Sequence, residues 1–188
     1  MIKKIIRSYY RTKKFKQIGV STIVEKGEFY HTGKLEVGSY CYIGPGASIS
    51  ANGGLKIGKG TIIGPKTSIY TSNHNYKLNL NSIPYDSLTI EKEVVIGEGC
   101  WIGGNVIVAP GTKIGKGVIV AAGETVRGNV PEYSIYINGE AKKKRDNIEE
   151  YNKLYSKEIF YMKKKLEKYE TISQYLKVFF KNIKTEDL

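Results

Sequence analysis

Cysteine and histidine are scarce in this sequence, since its 188 residues include only two of each. Cys41 and Cys100 lie far apart and form no CxxC or Cys/His spacing, so neither a disulfide framework nor a zinc site is indicated. Such cysteine usage is typical of proteins in a reducing compartment. We therefore predict a cytoplasmic protein.

Long apolar runs are also missing. The chain starts with the basic segment MIKKIIRSYYRTKKFK, which has no apolar run long enough for a signal peptide. No segment approaches the roughly 20 apolar residues of a membrane-spanning helix. We predict a protein that is soluble, or peripheral at the inner face of the membrane.

The central part of the chain has no net charge, although the formal charge of the whole is +12. Residues 1–20 carry seven basic and no acidic residues, residues 21–140 carry ten of each, and residues 141–188 carry thirteen basic and eight acidic. A nucleic-acid-binding domain would carry a basic stripe on its folded body, beside aromatic stacking positions. We therefore predict no nucleic-acid partner.

What the sequence does have is a six-residue repeat, in which an aliphatic residue is usually followed by glycine or another small residue. A period of six fits neither a helix nor an alternating open sheet, and it is typical of a parallel β-helix. The aliphatic side chain is predicted to point into the coil. Thirteen units start at Val37, Ile43, Ile49, Ile57, Ile63, Ile69, Ile90, Ile96, Ile102, Val108, Ile114, Val120 and Val126.

A second inward position follows four residues after each aliphatic one and is usually small. Both cysteines occupy this position, which predicts that they are buried fillers of the coil rather than reactive groups. The positions are Cys41, Ala47, Thr61, Thr67, Cys100, Val106, Thr112 and Val118.

The run EVVIGEGCWIGGNVIVAPGTKIGKGVIVAAGETVRGNVPEYSIYINGEAKKKRD resembles the hexapeptide-repeat acyltransferases, in particular the maltose, galactoside and polysaccharide O-acetyltransferases. The likeness spans roughly residues 35–145. It implies a mainly β fold, a single-stranded left-handed parallel β-helix with three hexads per turn. It further implies a homotrimer with sites between subunits and acetyl-CoA as donor substrate. We expect a basic N-terminal arm over 1–20, the β-helix over 21–145 and a helical extension over 146–188.

One interruption of the repeat carries His74. Ile69 and Ile90 are 21 residues apart where three hexads need 18, and the excess lies in a polar stretch that predicts a protruding loop at about 74–89. In the family that the sequence resembles, an equivalent loop carries the catalytic histidine. His74 is thus predicted as the general base that removes the proton of a sugar hydroxyl, the plainer alternative being a polar loop residue.

The resemblance also implies further site residues. Those for the pantetheine arm and phosphates of the donor are Trp101, Gly103, Gly104, Ala121, Ala122, Arg127, Lys142 and Lys143, and those for the acceptor are Asn52, Asn73, Tyr85 and Asp86. The sequence departs from the family twice. NGEAKKKR lacks the proline that relatives have after the last coil, and Asn73 replaces an aspartate before the histidine, leaving a backbone carbonyl, Asp86 or a coil glutamate to orient the imidazole.

His31 precedes the regular hexads and is predicted as a surface residue at the N-terminal end of the coil. The hexapeptide carbonic anhydrases build a zinc site from three histidines, a set that two histidines cannot supply. We therefore predict no metal.

After residue 145 the run DNIEEYNKLYSKEIFYMKKKLEKYETISQYLKVFFKNIK lacks glycine and proline. Apolar residues recur every seven positions, which predicts one long amphipathic helix, or two with a break near 171–173. Asp146 is predicted as its N-cap. The apolar face would pack on the trimer or a partner helix, or lie with the basic arm on an anionic membrane.

Together these features predict an acetyl-CoA-dependent O-acetyltransferase acting on a sugar hydroxyl, in bacterial surface polysaccharide biosynthesis. N-acetyl transfer to an amino sugar and a non-enzymatic trimeric scaffold remain alternatives. The sequence leaves open the acceptor sugar and an acyl donor longer than acetyl.

Overall fold

A computed structural model describes residues 7–8, 11–77 and 79–169. Three sheets of short parallel strands dominate it, and each turn of the chain adds one strand to each sheet in the order A, B, C. Sheet A contains β1 (Gln17–Ile18), β4 (Leu35–Val37), β7 (Leu55–Ile57), β12 (Val94–Ile96), β15 (Lys113–Ile114) and β18 (Asn129–Val130).

Sheets B and C complete the turns. Sheet B contains β2 (Ile23–Val24), β5 (Tyr42–Ile43), β8 (Ile62–Ile63), β13 (Trp101–Ile102), β16 (Ile119–Val120), β19 (Ser134–Ile137) and the antiparallel β20 (Glu140–Lys144). Sheet C contains β3 (Glu28–Tyr30), β6 (Ser48–Ser50), β9 (Ser68–Tyr70), β14 (Ile107–Val108) and β17 (Thr125–Val126). We name the corners of this coil A–B, B–C and C–A after the sheets that they join.

The core is the inside of the coil, as the hexads predict. Twelve of the thirteen aliphatic positions are buried, and Ile90 is the exception. Ile90 lies instead on a hairpin, where it pairs with Asn73. Its assignment to a coil unit was therefore wrong, because the chain leaves the coil after β9 and rejoins it only at Val94.

The second inward positions are buried as predicted, from Cys41 to Val118. The polar members make hydrogen bonds inside the coil: the Thr61 hydroxyl donates to the carbonyl of Gly97 at 2.7 Å, and that of Thr67 to Gly103 at 3.0 Å. Burial raises the pKa of the Cys41 and Cys100 thiols to about 11. Both cysteines are free thiols that fill the coil.

The coil begins inside the segment predicted as an N-terminal arm. β1 pairs in parallel with β4, so residues 17–18 already belong to the first turn. Residues before it cap that turn: the Val24 amide donates to the Ser8 hydroxyl at 2.8 Å, and the Arg11 guanidinium donates to the Val24 carbonyl. Phe15 is buried beside them.

The C-terminal extension packs on the A–B corner of its own coil. Helix α1 (Ile148–Ser156) is followed by a turn at 157–160 and a second helical segment over 161–169. Tyr133, Tyr151, Tyr155, Phe160 and Tyr40 form a continuous aromatic column from the last turn to the second, with ring centroids 5.4–6.2 Å apart. We call this column the aromatic strap. It includes Tyr155 of the predicted apolar face, which therefore packs on the coil of its own chain.

Two details of the extension differ from prediction. Asn147, not Asp146, is the N-cap of α1, and its side chain makes no capping hydrogen bond. The helix breaks at 157–160, whereas the break predicted at 171–173 lies outside the described residues. None of the described helices is long and apolar enough to cross a membrane.

Candidate active site

The predicted loop leaves the coil as an antiparallel hairpin at the C–A corner. β10 (Ser72–His74) pairs with β11 (Thr89–Glu91), which places His74 opposite Thr89 at the far end of the ladder. The residues between them, 75–88, are mostly polar and could not replace the aliphatic side chains that fill the coil. The hairpin therefore carries His74 just outside the coil.

A cavity of about 640 Å³ lies between this hairpin and the outer face of sheet C. It brings together three of the predicted site residues, Asn52, Asn73 and His74. Its other lining residues are Tyr30, Ser48, Ser50, Tyr70, Ser72, Thr89 and Pro110. The volume falls in the usual range of small-molecule sites.

Asn52 is held in this cavity by hydroxyl groups. Its side-chain oxygen accepts from the Ser72 hydroxyl at 2.8 Å and from the Ser50 hydroxyl at 3.3 Å. An amide whose oxygen is saturated in this way has its two N–H groups left for another acceptor. Asn52 is thus arranged to donate a hydrogen bond to a ligand oxygen.

His74 is held by stacking rather than by a carboxylate. Its ring lies 3.9 Å from that of Tyr85, centroid to centroid, with the two planes inclined by 17°. The His74 backbone N–H donates to the Asn73 side chain at 3.0 Å. Among the residues that the structure describes, none makes a hydrogen bond with the imidazole nitrogens, so both remain available to substrate.

Asp86 has a different role from the predicted one. Its side chain is only 2% exposed and accepts from the Asn75 amide at 2.8 Å and from the Leu88 backbone N–H at 2.9 Å. The Asp86 N–H in turn donates to the Asn75 carbonyl at 3.3 Å. Asp86 therefore closes the loop at its base, and a buried carboxylate with these partners neither meets the acceptor nor orients His74.

The residues predicted for the donor lie mostly on a different part of the coil. Trp101 is on the outer face of sheet B and is 59% exposed. Gly103, Gly104, Ala121 and Ala122 follow at the B–C corner on two successive turns. Coil stacking itself requires Gly103, because a Cβ there would lie 2.6 Å from the Ala122 nitrogen.

The predicted phosphate-binding residues are separated from one another. Arg127 is exposed at the C–A corner, and Lys142 and Lys143 are exposed in β20 beside sheet B. Lys142 pairs with Glu140 and Lys143 with Asp146, each at 3.5 Å. One protomer thus unites Asn52, Asn73 and His74, with Tyr85 stacked on His74, but it does not bring the donor residues to them.

Sequence reasoning missed the tyrosines and serines of the cavity. Tyr30, Ser50 and Tyr70 are register partners on three successive turns, each directly after an inward residue. Their spacing of 20 residues was a usable signal, because it equals one turn of the coil in that region. His31 is exposed in a left-handed conformation outside the cavity lining. Within the described ranges there is no cluster of three or more His, Cys, Asp or Glu side chains suited to a metal.

Sequence comparison relates the chain to transferases. Residues 93–128 match the family described as "Bacterial transferase hexapeptide (six repeats)". The chain is 36% identical over 123 residues to WbbJ of Escherichia coli K12, named as a lipopolysaccharide biosynthesis O-acetyl transferase. That match covers 62% of this chain and 60% of WbbJ.

Solved structures with the same fold include one determined with acetyl-CoA and one determined with coenzyme A. A hexapeptide-repeat acetyltransferase of Vibrio cholerae in complex with acetyl-CoA is 26% identical, has a TM-score of 0.65 and is matched over 74% of this chain and 78% of its own. Galactoside acetyltransferase in complex with coenzyme A, at 19% identity and a TM-score of 0.68, is matched over 78% and 74%. The predicted left-handed parallel β-helix is confirmed.

Proposed function

We propose that this chain, whose residues 93–128 belong to the bacterial transferase hexapeptide family, is an acetyl-CoA-dependent O-acetyltransferase that acts on a sugar hydroxyl. The observation that carries the proposal is the joint position of His74 and Asn52 in one cavity beside a protruding hairpin. This arrangement supplies a base with two free ring nitrogens and a fixed amide donor. Similarity to WbbJ supports a role in surface polysaccharide biosynthesis.

The reaction needs a base because a sugar hydroxyl does not ionise near neutral pH. His74 takes the hydroxyl proton as the hydroxyl oxygen attacks the thioester carbonyl, so that a C–O bond forms. The C–S bond then breaks, and the proton passes from the imidazolium to the leaving thiolate to give free coenzyme A. The charge of the enzyme is unchanged after each turnover, and no acyl-enzyme is required.

Asn52 is suited to hold one oxygen of this reaction. Its N–H groups can donate to the acceptor hydroxyl or to the oxygen that becomes negative in the tetrahedral state. Because two hydroxyls fix the amide in place, its N–H groups are oriented before substrate binds. Such preorganisation lowers the barrier without a cost at the moment of reaction.

We further propose that the donor site is completed by a second copy of the chain in a homotrimer. The outer face of sheet B carries a row of register partners, Tyr42, Ile62, Trp101, Ile119 and Ile135. The outer face of sheet A instead carries ion pairs, Lys16 with Glu36 and Lys56 with Glu93. An exposed apolar row of this kind is suited to a contact with a second subunit. In a head-to-tail arrangement that closes into a trimer, this contact would bring Trp101 toward the His74 cavity of the neighbouring subunit. We also propose that the basic segments at the two ends of the chain contact the membrane.

The test compares His74→Ala with the matched control His31→Ala. Acetyl-CoA binding is measured by titration calorimetry, which needs no knowledge of the acceptor, and turnover by release of the coenzyme A thiol. We expect both variants to bind acetyl-CoA like the wild type, while His74→Ala loses about 10²–10⁴-fold in turnover and His31→Ala loses none. Full turnover in His74→Ala would refute the role of His74. Absence of acetyl-CoA binding in the wild type would favour the scaffold alternative.

A further inference from the structure

Among the residues of one chain that the structure describes, none with a charged side chain lines the cavity beside His74. Six of its ten lining residues carry a hydroxyl, and the others are two asparagines, His74 and a proline. A site of this composition offers many hydrogen-bond donors and acceptors but no counter-ion. It is therefore suited to a ligand that is rich in hydroxyl groups and uncharged.

Two tyrosines stand on either side of the serine floor of this cavity. Tyr30, Ser50 and Tyr70 are aligned on three adjacent strands, and the two tyrosines are 54% and 43% exposed. Adjacent strands are about 4.8 Å apart, so the two tyrosines start about 10 Å apart. A sugar ring in van der Waals contact with one tyrosine ring on each side needs the two tyrosine rings about 7–8 Å apart, so each tyrosine would have to lean inward by about 1 Å on binding.

Two charged residues on neighbouring parts of the coil, Lys34 and Glu28, lie outside the cavity lining. The Lys34 ammonium donates to the Asn52 carbonyl at 2.6 Å and pairs with Glu91 at 3.3 Å. Glu28 is the register partner of Ser48 on the adjoining turn, but it does not line the cavity. The Lys34 charge is therefore paired, and the Glu28 carboxylate lies outside the lining.

From these features we infer that the acceptor is a neutral pyranose, held between Tyr30 and Tyr70 with its hydroxyls toward Ser48 and Ser50. The inference rests on the proposed function and names the class of its acceptor. Aromatic faces carry partial negative charge and attract the polarised C–H groups of a sugar ring. The ammonium of an amino sugar, the carboxylate of a uronic acid or a ring phosphate would lose water here without gaining a counter-ion.

The test measures sugar binding directly by saturation-transfer NMR on the full chain at pH 7. Methyl glucoside, methyl galactoside and methyl N-acetylglucosaminide are compared with methyl glucosaminide and methyl glucuronide at equal millimolar concentration. The protein variants are Tyr30→Ala and Tyr70→Ala, with Tyr30→Phe and Tyr70→Phe as conservative variants. Tyr161→Ala is the control, because Tyr161 is 65% exposed outside the cavity lining.

We expect the saturation-transfer signals of the neutral glycosides to be at least tenfold stronger than those of the two charged glycosides. This saturation falls at least fivefold in both alanine variants and persists in the phenylalanine variants and in Tyr161→Ala. Binding of the glucosaminide recovers when the pH is raised until its amine is neutral. Equal or stronger binding of a charged glycoside would overturn the inference. So would the absence of saturation transfer to every neutral glycoside, or saturation transfer that is unchanged in both Tyr30→Ala and Tyr70→Ala.

Acetyl-CoA titration of the same samples separates this inference from the proposed function. Selective binding of neutral glycosides without any acetyl-CoA binding would refute the acetyltransferase while leaving the sugar site intact. Acetyl-CoA turnover that prefers an amino sugar or a uronic acid would refute the neutral acceptor alone.

Discussion

The ring of His74 stacks on that of Tyr85 at a centroid distance of 3.9 Å and an interplanar angle of 17°. Asn75 and Asp86 form the pair that closes the loop, and each follows one of the two stacked residues in the sequence: Asn75 follows His74, and Asp86 follows Tyr85. The 2.8 Å hydrogen bond between Asn75 and Asp86 therefore brings the two rings together. Tyr85 is thus placed to position the proposed base, and we predict that role for it.

Removal of the stack is expected to impair turnover and leave donor binding unchanged. In Tyr85→Leu the imidazole loses the surface that fixes its rotation, and misplacement of a catalytic group by about 1 Å can cost about 10²-fold in rate. We expect kcat to fall by about 10-fold or more, with KM for acetyl-CoA unaltered. Tyr85→Phe keeps the ring and should keep most of the activity.

NMR of the histidine side chains detects the His74–Tyr85 stack directly and needs no acceptor substrate. The chain has only two histidines, so ¹³C labelling of the imidazole carbons gives two signals that His31→Ala and His74→Ala assign. The His74 signal should be shifted upfield by the Tyr85 ring in the wild type and in Tyr85→Phe, and should move downfield in Tyr85→Leu. Identical His74 shifts in all three proteins would contradict a stack in solution, whatever the activities are.

The Asp86 carboxylate is expected to stabilise the loop rather than take part in the chemistry. Asp86→Ala removes the hydrogen bonds that the carboxylate accepts from the Leu88 N–H and from the Asn75 amide, at a cost of about 1 kcal/mol for each. We expect faster proteolysis within residues 75–88, with the thermal transition of the coil little changed. Ser87→Ala, one residue away, is the control, and equal proteolysis rates in the two variants would count against the assignment.

Contact between the aromatic strap and the coil is tested at Gly60. Its φ is +72°, and an added Cβ would overlap the Phe160 ring. Gly60→Ala therefore combines about 1–2 kcal/mol of backbone strain with about 1–3 kcal/mol of overpacking. Gly123→Ala is the matched control, because its φ is +78° and a Cβ there meets nothing within 4 Å.

The free energy of unfolding of both variants is measured by chemical denaturation. Gly60→Ala should be the less stable of the two, and the gap between them should close in a Phe160→Ala background, since the two residues share one contact. A gap that persists in that background would mean that Phe160 does not cover Gly60.

Much of this architecture is readable from the sequence, because burial of one aliphatic side chain every six residues leaves the chain a single regular solution. The interruption before Ile90 revealed a loop for the same reason. Ile90 itself was misassigned, since an aliphatic residue on an antiparallel hairpin looks the same as one in the coil. The seven-residue apolar period runs through 157–160 without change, so no feature of the pattern marked the break there.

Site residues were predictable only where a local anomaly marked them. His74 lies in the interruption. Asn52 lies in the stretch SANGG, where the units that start at Ile49 and Ile57 are eight residues apart instead of six, and the cavity contains both residues. The sequence around Tyr30 and Tyr70 shows no interruption of the repeat, and the two residues come close together only through the register of sheet C. The stack of Tyr85 on His74 depends on how Asp86 closes the loop, which no periodicity encodes.

The two buried thiols give the last prediction, which also bears on the thiol-release assay. Thiolate is the reactive form of cysteine, and burial raises the pKa of Cys41 and Cys100 from 9.0 to about 11. At pH 8 the native chain should therefore not react with a disulfide reagent such as 5,5′-dithiobis(2-nitrobenzoate), whereas the denatured chain should release two equivalents. Rapid reaction of the native chain would contradict the burial of both side chains.

Stability should depend on pH through the same groups. Each thiol stays protonated in the folded chain up to about pH 11 but ionises near pH 9.0 when unfolded. Its contribution to the free energy of unfolding is thus complete below pH 9 and is lost as the pH rises toward 11, with a ceiling of about 2–3 kcal/mol per thiol. Denaturation at pH 8 and pH 10.5 should show a larger loss in the wild type than in a Cys41→Ala/Cys100→Ala double variant, whose remaining loss comes from tyrosines and lysines. Equal losses would mean that water reaches the thiols in the folded coil, and the interior would then not be the dry column that the hexads describe.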